Sequence, residues 1–143
     1  MKFKPHLIFL FFFTSLVFNA NAQLKINVSN LEAIKGAIYI ALYNSEDNFL
    51  LHEKALRKSI VPVESKSVEF TIKDLPEGEY AVTLFHDEDN NGNLTTLFGI
   101  PKEPYGFSNN AKGGIMGPPT YAEAKFNYLG KPQEISIALN RLL

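Results

Sequence analysis

Asp87, Asp89, Asn91 and Gly92 stand in the spacing of a D-x-[DN]-x-[DN]-G loop, inside the run His86-Asp87-Glu88-Asp89-Asn90-Asn91-Gly92-Asn93. Alternate side chains at that spacing turn their oxygens toward one point, and the glycine takes the sharp bend that lets them converge. The chemistry is that of a hard cation, Ca2+ first, which takes roughly six to eight oxygen ligands. Asp87, Asp89 and Asn91 offer side-chain oxygens and Asn93 its carbonyl; Glu103 is the nearest further acidic residue. Counted from Asp87, the place where an EF-hand carries its bidentate Glu is Phe98, and no helical period flanks the run, so the loop is not an EF-hand. The plainer reading is an Asn-Gly hairpin turn with polar decoration.

His86 opens a second possibility, general base chemistry oriented by Asp87 or Glu103, as in a glycan or ester hydrolase. Asp87 or Asp89 with Glu103 would form a glycosidase pair only at the right separation. Ser108 is a nucleophile by residue type alone, because no G-x-S-x-G turn surrounds it. His86 also shares parity with Tyr80, Val82 and Leu84, which fits a residue capping the core with a hydrogen bond to a loop carbonyl. His52-Glu53 begins like H-E-x-x-H, but Leu56 stands where the second His is needed.

These residues need strands to hold them. Leu75-Pro76-Glu77-Gly78 is a turn, with Pro76 presetting φ and Gly78 free to take positive φ. The strand after it, Tyr80 to His86, is apolar on both parities and therefore expected to be covered on both faces. Leu24, Ile26 and Val28 alternate with polar residues; Gly36 to Tyr43 is apolar on both sides; Val68, Phe70 and Ile72 alternate again. Arg57 to Val63 is an edge strand marked by Pro62. Tyr121 to Tyr128 and Ile135 to Leu139 complete about seven strands, with almost no helix. The expected fold is all-β, an antiparallel two-sheet sandwich of immunoglobulin-like type. The segment from Leu94 to Thr120 carries no period and nine Gly or Pro residues. Its Phe98, Tyr105 and Phe107 are costly to leave in water, so it is expected to be ordered and to fold back beside the acidic loop. That would gather His86, Glu103, Tyr105, Phe107, Ser108 and Asn109 into one ligand-binding surface.

Residues 1–22 read as a leader: Lys2 and Lys4, an apolar run from Leu7 to Phe18, then Ala20-Asn21-Ala22 as a cleavage signal. The run is shorter than the ~18 apolar residues of a spanning helix, so no membrane span is expected after cleavage. One domain, residues 23–143, remains. With Lys2 and Lys4 removed from 14 basic against 15 acidic residues, it carries a net charge of −3 and no basic patch, which argues against nucleic acid. Zero cysteines exclude disulfides, thiol chemistry and thiolate zinc sites.

L-P-x-G-x-Y-A at Leu75 to Ala81, F-H-D-x-D-x-N-G at Phe85 to Gly92 and G-I-P-K-E-x-Y-G-F-S-N at Gly99 to Asn109 together resemble domain-of-unknown-function family 2141. The resemblance implies a small exported bacterial protein with no assigned activity. The first motif is also similar to prealbumin-like and carboxypeptidase-regulatory-like sandwiches, which implies that architecture by analogy. The family pattern commonly places an Asp three residues after the loop glycine, where this chain has Thr95. The leading expectation is an exported, periplasmic or extracellular, non-enzymatic sandwich that binds an envelope glycan or protein, with Ca2+ in its acidic loop. The rivals are the His86 hydrolase and a structural envelope protein without a small-molecule site.

Overall fold

The structure is a computed structural model and describes residues 22–113 and 116–143; apart from Ala22, the expected leader lies outside the described residues. The described residues form ten strands, against about seven expected, the added ones being the short β6, β7 and β8: β1 (Gln23–Ser29), β2 (Ala37–Tyr43), β3 (Arg57–Pro62), β4 (Val68–Lys73), β5 (Gly78–Asp87), β6 (Thr96–Leu97), β7 (Ile100–Pro101), β8 (Tyr105–Phe107), β9 (Phe126–Tyr128) and β10 (Gln133–Ala138). One sheet has the order β10-β1-β4 and the other β3-β2-β5-β8, with β9 also on β5. Period-2 alternation puts Leu24, Ile26 and Val28 of β1, each 0% exposed, against Ile38, Ile40 and Leu42 of β2 and Val82 and Leu84 of β5. Burying each of these side chains contributes about 1.5–3 kcal/mol, and this inter-sheet layer is the main core.

The outer face of the larger sheet is covered as well. Tyr43, Ala81, Tyr105 and Phe107 pack there under Phe49 and Tyr121, which explains the apolar run on both parities of β2 and β5. β3 is an edge strand, as Pro62 requires. The sheets close along one side where Tyr105 exchanges backbone hydrogen bonds of 2.9 and 2.8 Å with Asn140, beyond β10. On the other side Arg57 of β3 reaches across to the carbonyls of Lys73 and Asp74 at 2.7 and 2.9 Å.

Four expectations change. The sandwich is not wholly antiparallel, because β1 and β10 pair in parallel. Tyr121 to Tyr128 is not one strand: Thr120 and Glu123 form a capping box that starts a helical turn, α1 (Tyr121–Ala124), and only β9 continues as strand. Hydrogen bonding from the Thr120 backbone and hydroxyl also holds the Glu123 carboxyl below its ordinary range. The segment after Leu94 is not loop throughout, since β6, β7 and β8 lie in it, and Phe98 is 96% exposed at the hairpin tip rather than folded back. Phe98 and Gly99 both have positive φ, 51° and 79°, as a two-residue hairpin turn needs. Finally, Gly78 does not take positive φ; the left-handed residue between β4 and β5 is Asp74, just ahead of the turn, at φ 54°.

Gly36 at the entry to β2 has φ 65°, and a Cβ there would overlap the carbonyl oxygen of Asp87. Backbone approach at the end of β5 therefore demands glycine. Gly36→Ala should lower stability by roughly 2–4 kcal/mol, read as a reduced urea midpoint at unchanged m-value.

Candidate functional site

β5 delivers Asp87 to the tip of the sandwich, 1% exposed, on the outer-face parity. Its Oδ1 accepts from the Asn91 N–H at 3.1 Å and its Oδ2 from the Gly92 N–H at 2.9 Å. Asp89 accepts from the Asn91 N–H at 3.1 Å and from its side-chain amide at 3.0 Å. The Asn91 amide oxygen takes the Asn93 N–H at 2.7 Å. Asn90 and Gly92, at φ 59° and 78°, supply the left-handed turns that close the loop. Asn91 thus braces the loop from within, and its amide also reaches the Thr95 hydroxyl at 2.9 Å. Asn93 is exposed and bonds back to Asn91.

Glu103 arrives from the segment after β7 and is 5% exposed. One carboxylate oxygen accepts from the Glu88 N–H and the other from the Thr95 N–H, both at 2.9 Å. The carboxylate so placed brings oxygens of Asp87, Asp89 and Glu103 all within 4.8 Å of one another, a cluster that could hold a metal ion. Three negative groups at that spacing repel by about 1–4 kcal/mol per pair, from bulk-water to protein-surface screening. Backbone N–H groups offset part of this, and a cation would offset more. Each carboxylate has about four lone-pair sites and uses two on N–H donors, so about two remain on each for a ligand.

The other expected site residues divide. His86 is 0% exposed; its Nε2 donates to the Lys35 carbonyl at 2.7 Å, and its Nδ1 lies 3.8 Å from Glu88. It caps the core, and a base so enclosed meets no substrate proton. Ser108 is also 0% exposed, and its hydroxyl accepts from the Val82 N–H at 2.9 Å and donates to the Ala124 carbonyl. Neither belongs to a ligand-binding surface, because each is fully enclosed. Asn109 is exposed but donates to the Lys125 carbonyl at 2.7 Å, tying down the start of β9 away from the tip. Tyr105 and Phe107 do share a surface: with Phe85 and Thr83 they floor a cleft of about 300 Å³ walled by the β6–β7 hairpin. The composite surface expected from the sequence is therefore two neighbouring features, an acidic tip with Glu103 and an apolar cleft.

Two contributions were missed. The Tyr80 hydroxyl donates to the Pro76 carbonyl at 2.9 Å, a corner that locks the turn before β5; the spacing Pro76-x-x-x-Tyr80 was its visible signal. Arg141 joins Glu32 at 2.8 Å, Glu88 at 2.7 Å and the Lys102 carbonyl, which pins the flank of the tip. Nothing local in the sequence marks it.

The sequence model of a family described as "Uncharacterized protein conserved in bacteria (DUF2141)" matches residues 26–136. The chain belongs to this family. No match emerges among the curated proteins or among the solved structures. In this DUF2141 protein each stretch carrying the earlier resemblance has a distinct task. The first builds the Tyr80 corner, the second the acidic loop, and the third the hairpin, the Glu103 clamp and the Ser108 and Asn109 stitches.

Two outcomes separate clamp and stitch from catalytic roles. Glu103→Ala should speed hydrogen exchange of the Glu88 and Thr95 amides by tenfold or more, with little change in the β1 amides. Ser108→Ala should cost about 1–3 kcal/mol in chemical denaturation, because it leaves the buried Val82 N–H unpaired.

Proposed function

We propose that this protein is an exported binding module rather than a catalyst, whose tip takes one Ca2+ and presents the surrounding loop to an envelope glycan or protein. The observation that carries the reading is the convergence of Glu103, from a separate segment, with Asp87 and Asp89 of a D-x-D-x-N-G loop. The donor set is all oxygen, which suits Ca2+ or Mg2+ over a transition metal. Mg2+ demands near-ideal octahedral geometry, whereas Ca2+ accepts six to eight ligands in irregular arrangements, so three carboxylates plus water suit Ca2+ better. Thr95, in place of an Asp, donates its N–H to Glu103 and accepts from the Asn91 amide at its hydroxyl oxygen, so it braces the cluster without adding charge. Fewer charges mean weaker binding, in the range of extracellular modules, where Ca2+ is abundant. The exposed loop around residues 89–93 is the part such a partner would meet.

Thermal unfolding with and without Ca2+ tests this. A cation bound only to the folded state, at tenfold its dissociation constant, stabilises by about 1.4 kcal/mol and should raise Tm by about 4–8 °C. Asp89→Ala should abolish the rise while leaving the chelated protein folded. An unchanged melting curve at millimolar Ca2+ would remove the cation from this reading.

A further inference from the structure

The cleft on the outer face of the larger sheet is separate from the carboxylate cluster and has a chemistry of its own. Its volume, about 300 Å³, is at the lower end of small-molecule sites. That is roughly twice the ~150 Å³ of an apolar cavity that holds one benzene ring. Its floor is Phe85, Tyr105 and Phe107; Pro101 of β7 and Leu50 and Leu142 wall it. No charged side chain lines it among the described residues. The polar groups on the wall are the hydroxyls of Thr83, Thr96 and Tyr105.

Tyr105 is the informative one. It is 7% exposed, it packs edge-on against Phe107 with ring centroids 5.7 Å apart, and burial raises its phenol above the ordinary tyrosine range. It therefore stays a neutral O–H donor at physiological pH. Tyr80 and Tyr121, similarly buried, donate to the carbonyls of Pro76 and Glu79. The hydroxyl of Tyr105 makes no hydrogen bond among the described residues, and it lies on the cleft lining beside Gly113. An uncharged, mainly apolar cleft with hydroxyls on its lining matches a ligand that is mostly hydrocarbon and carries a single acceptor.

We infer that this cleft binds a small uncharged molecule, about the size of two fused rings, whose one hydroxyl or carbonyl oxygen accepts from Tyr105. A carboxylate or ammonium ligand would lose its hydration and meet no opposite charge. Exposed Leu50 and Leu142, each 38% accessible, form an apolar entry at the mouth. The inference goes beyond the cation reading and does not depend on it.

The test uses the purified protein and 1-naphthol, naphthalene and 1-naphthoate as probes. The chain has no tryptophan, so probe emission is read without indole background. Saturable binding of 1-naphthol and naphthalene, with 1-naphthoate at least tenfold weaker, is expected in Ca2+ and in chelator alike. Tyr105→Phe should weaken 1-naphthol about five- to tenfold and leave naphthalene unchanged, the loss of one hydrogen bond. Thr96→Phe, a bulkier side chain at an exposed hairpin position on the cleft lining, should weaken both neutral probes more than tenfold with an unchanged circular dichroism spectrum. Absence of saturable binding overturns the inference. So does Thr96→Phe without effect, or equal weakening of both neutral probes by Tyr105→Phe. A probe-insensitive dimer that Phe98→Ser dissociates would overturn it too, by showing that the hairpin tip of a second copy fills the cleft.

Discussion

A ten-residue strand in the middle of a sheet must find a partner for every backbone group it buries, and β5 does so with two partners that do not meet. β9 covers Gly78 to Tyr80 and β8 covers Thr83 to Phe85 on the same edge. Val82 lies beside the break, and its N–H is taken by the Ser108 hydroxyl, which at the same time anchors the end of α1 through the Ala124 carbonyl. One small side chain therefore does the work of a missing strand. An unpaired amide at that depth costs on the order of 1–3 kcal/mol, a large share of the stability of a domain this size. Asn109 and Asn110 extend the stitch, the first to the Lys125 carbonyl and the second to the Ala138 N–H of β10. Their left-handed backbones, at φ 58° and 51°, turn three consecutive side chains in three directions.

The tip follows from the same rule. The chain leaves β5 at Asp87 with its N–H groups unpaired, and carboxylates satisfy them locally through Asp87 and Asp89 and at longer range through Glu103. Glu103 is thereby the tether of the β6–β7 hairpin, since Thr95, just before β6, hangs from its second oxygen. The hairpin is also one wall of the apolar cleft. The acidic cluster and the cleft thus border one shared element, the β6–β7 hairpin, on different sides of the Glu103 tether.

What the sequence disclosed was what local periodicity encodes. β1, β4 and β10 alternate over six or more residues, so their buried faces could be read directly, while β2 and β5 are apolar on both parities and read as covered on both sides. The D-x-D-x-N-G spacing located the tip, and acidity alone pointed to Glu103. The parallel register of β1 with β10 was hidden because both strands read alike whichever way the neighbour runs. α1 was mistaken for strand because its four residues also alternate, and the deciding signal was the Thr120–Glu123 box rather than the period. Ser108 and Asn109 were misplaced for a different reason: a hydroxyl or amide in a glycine-rich loop looks the same whether it serves a ligand or a neighbouring backbone. His86 was readable both as a base and as a core cap, and only its contact with Lys35 decides for the cap.

The parallel pairing of β1 has a bearing on how the chain reaches its fold. Leu24 is registered with Gln133 on one side and with Ile72 on the other, so the first strand waits for partners made much later. Closing such long loops before any contact rewards them makes folding slow and places it near the end of synthesis. Until the final strand emerges, the nascent polypeptide has no complete sheet around β1. A chain that stays open so long keeps its apolar strands and their unpaired edges exposed to neighbouring chains until the last partner arrives.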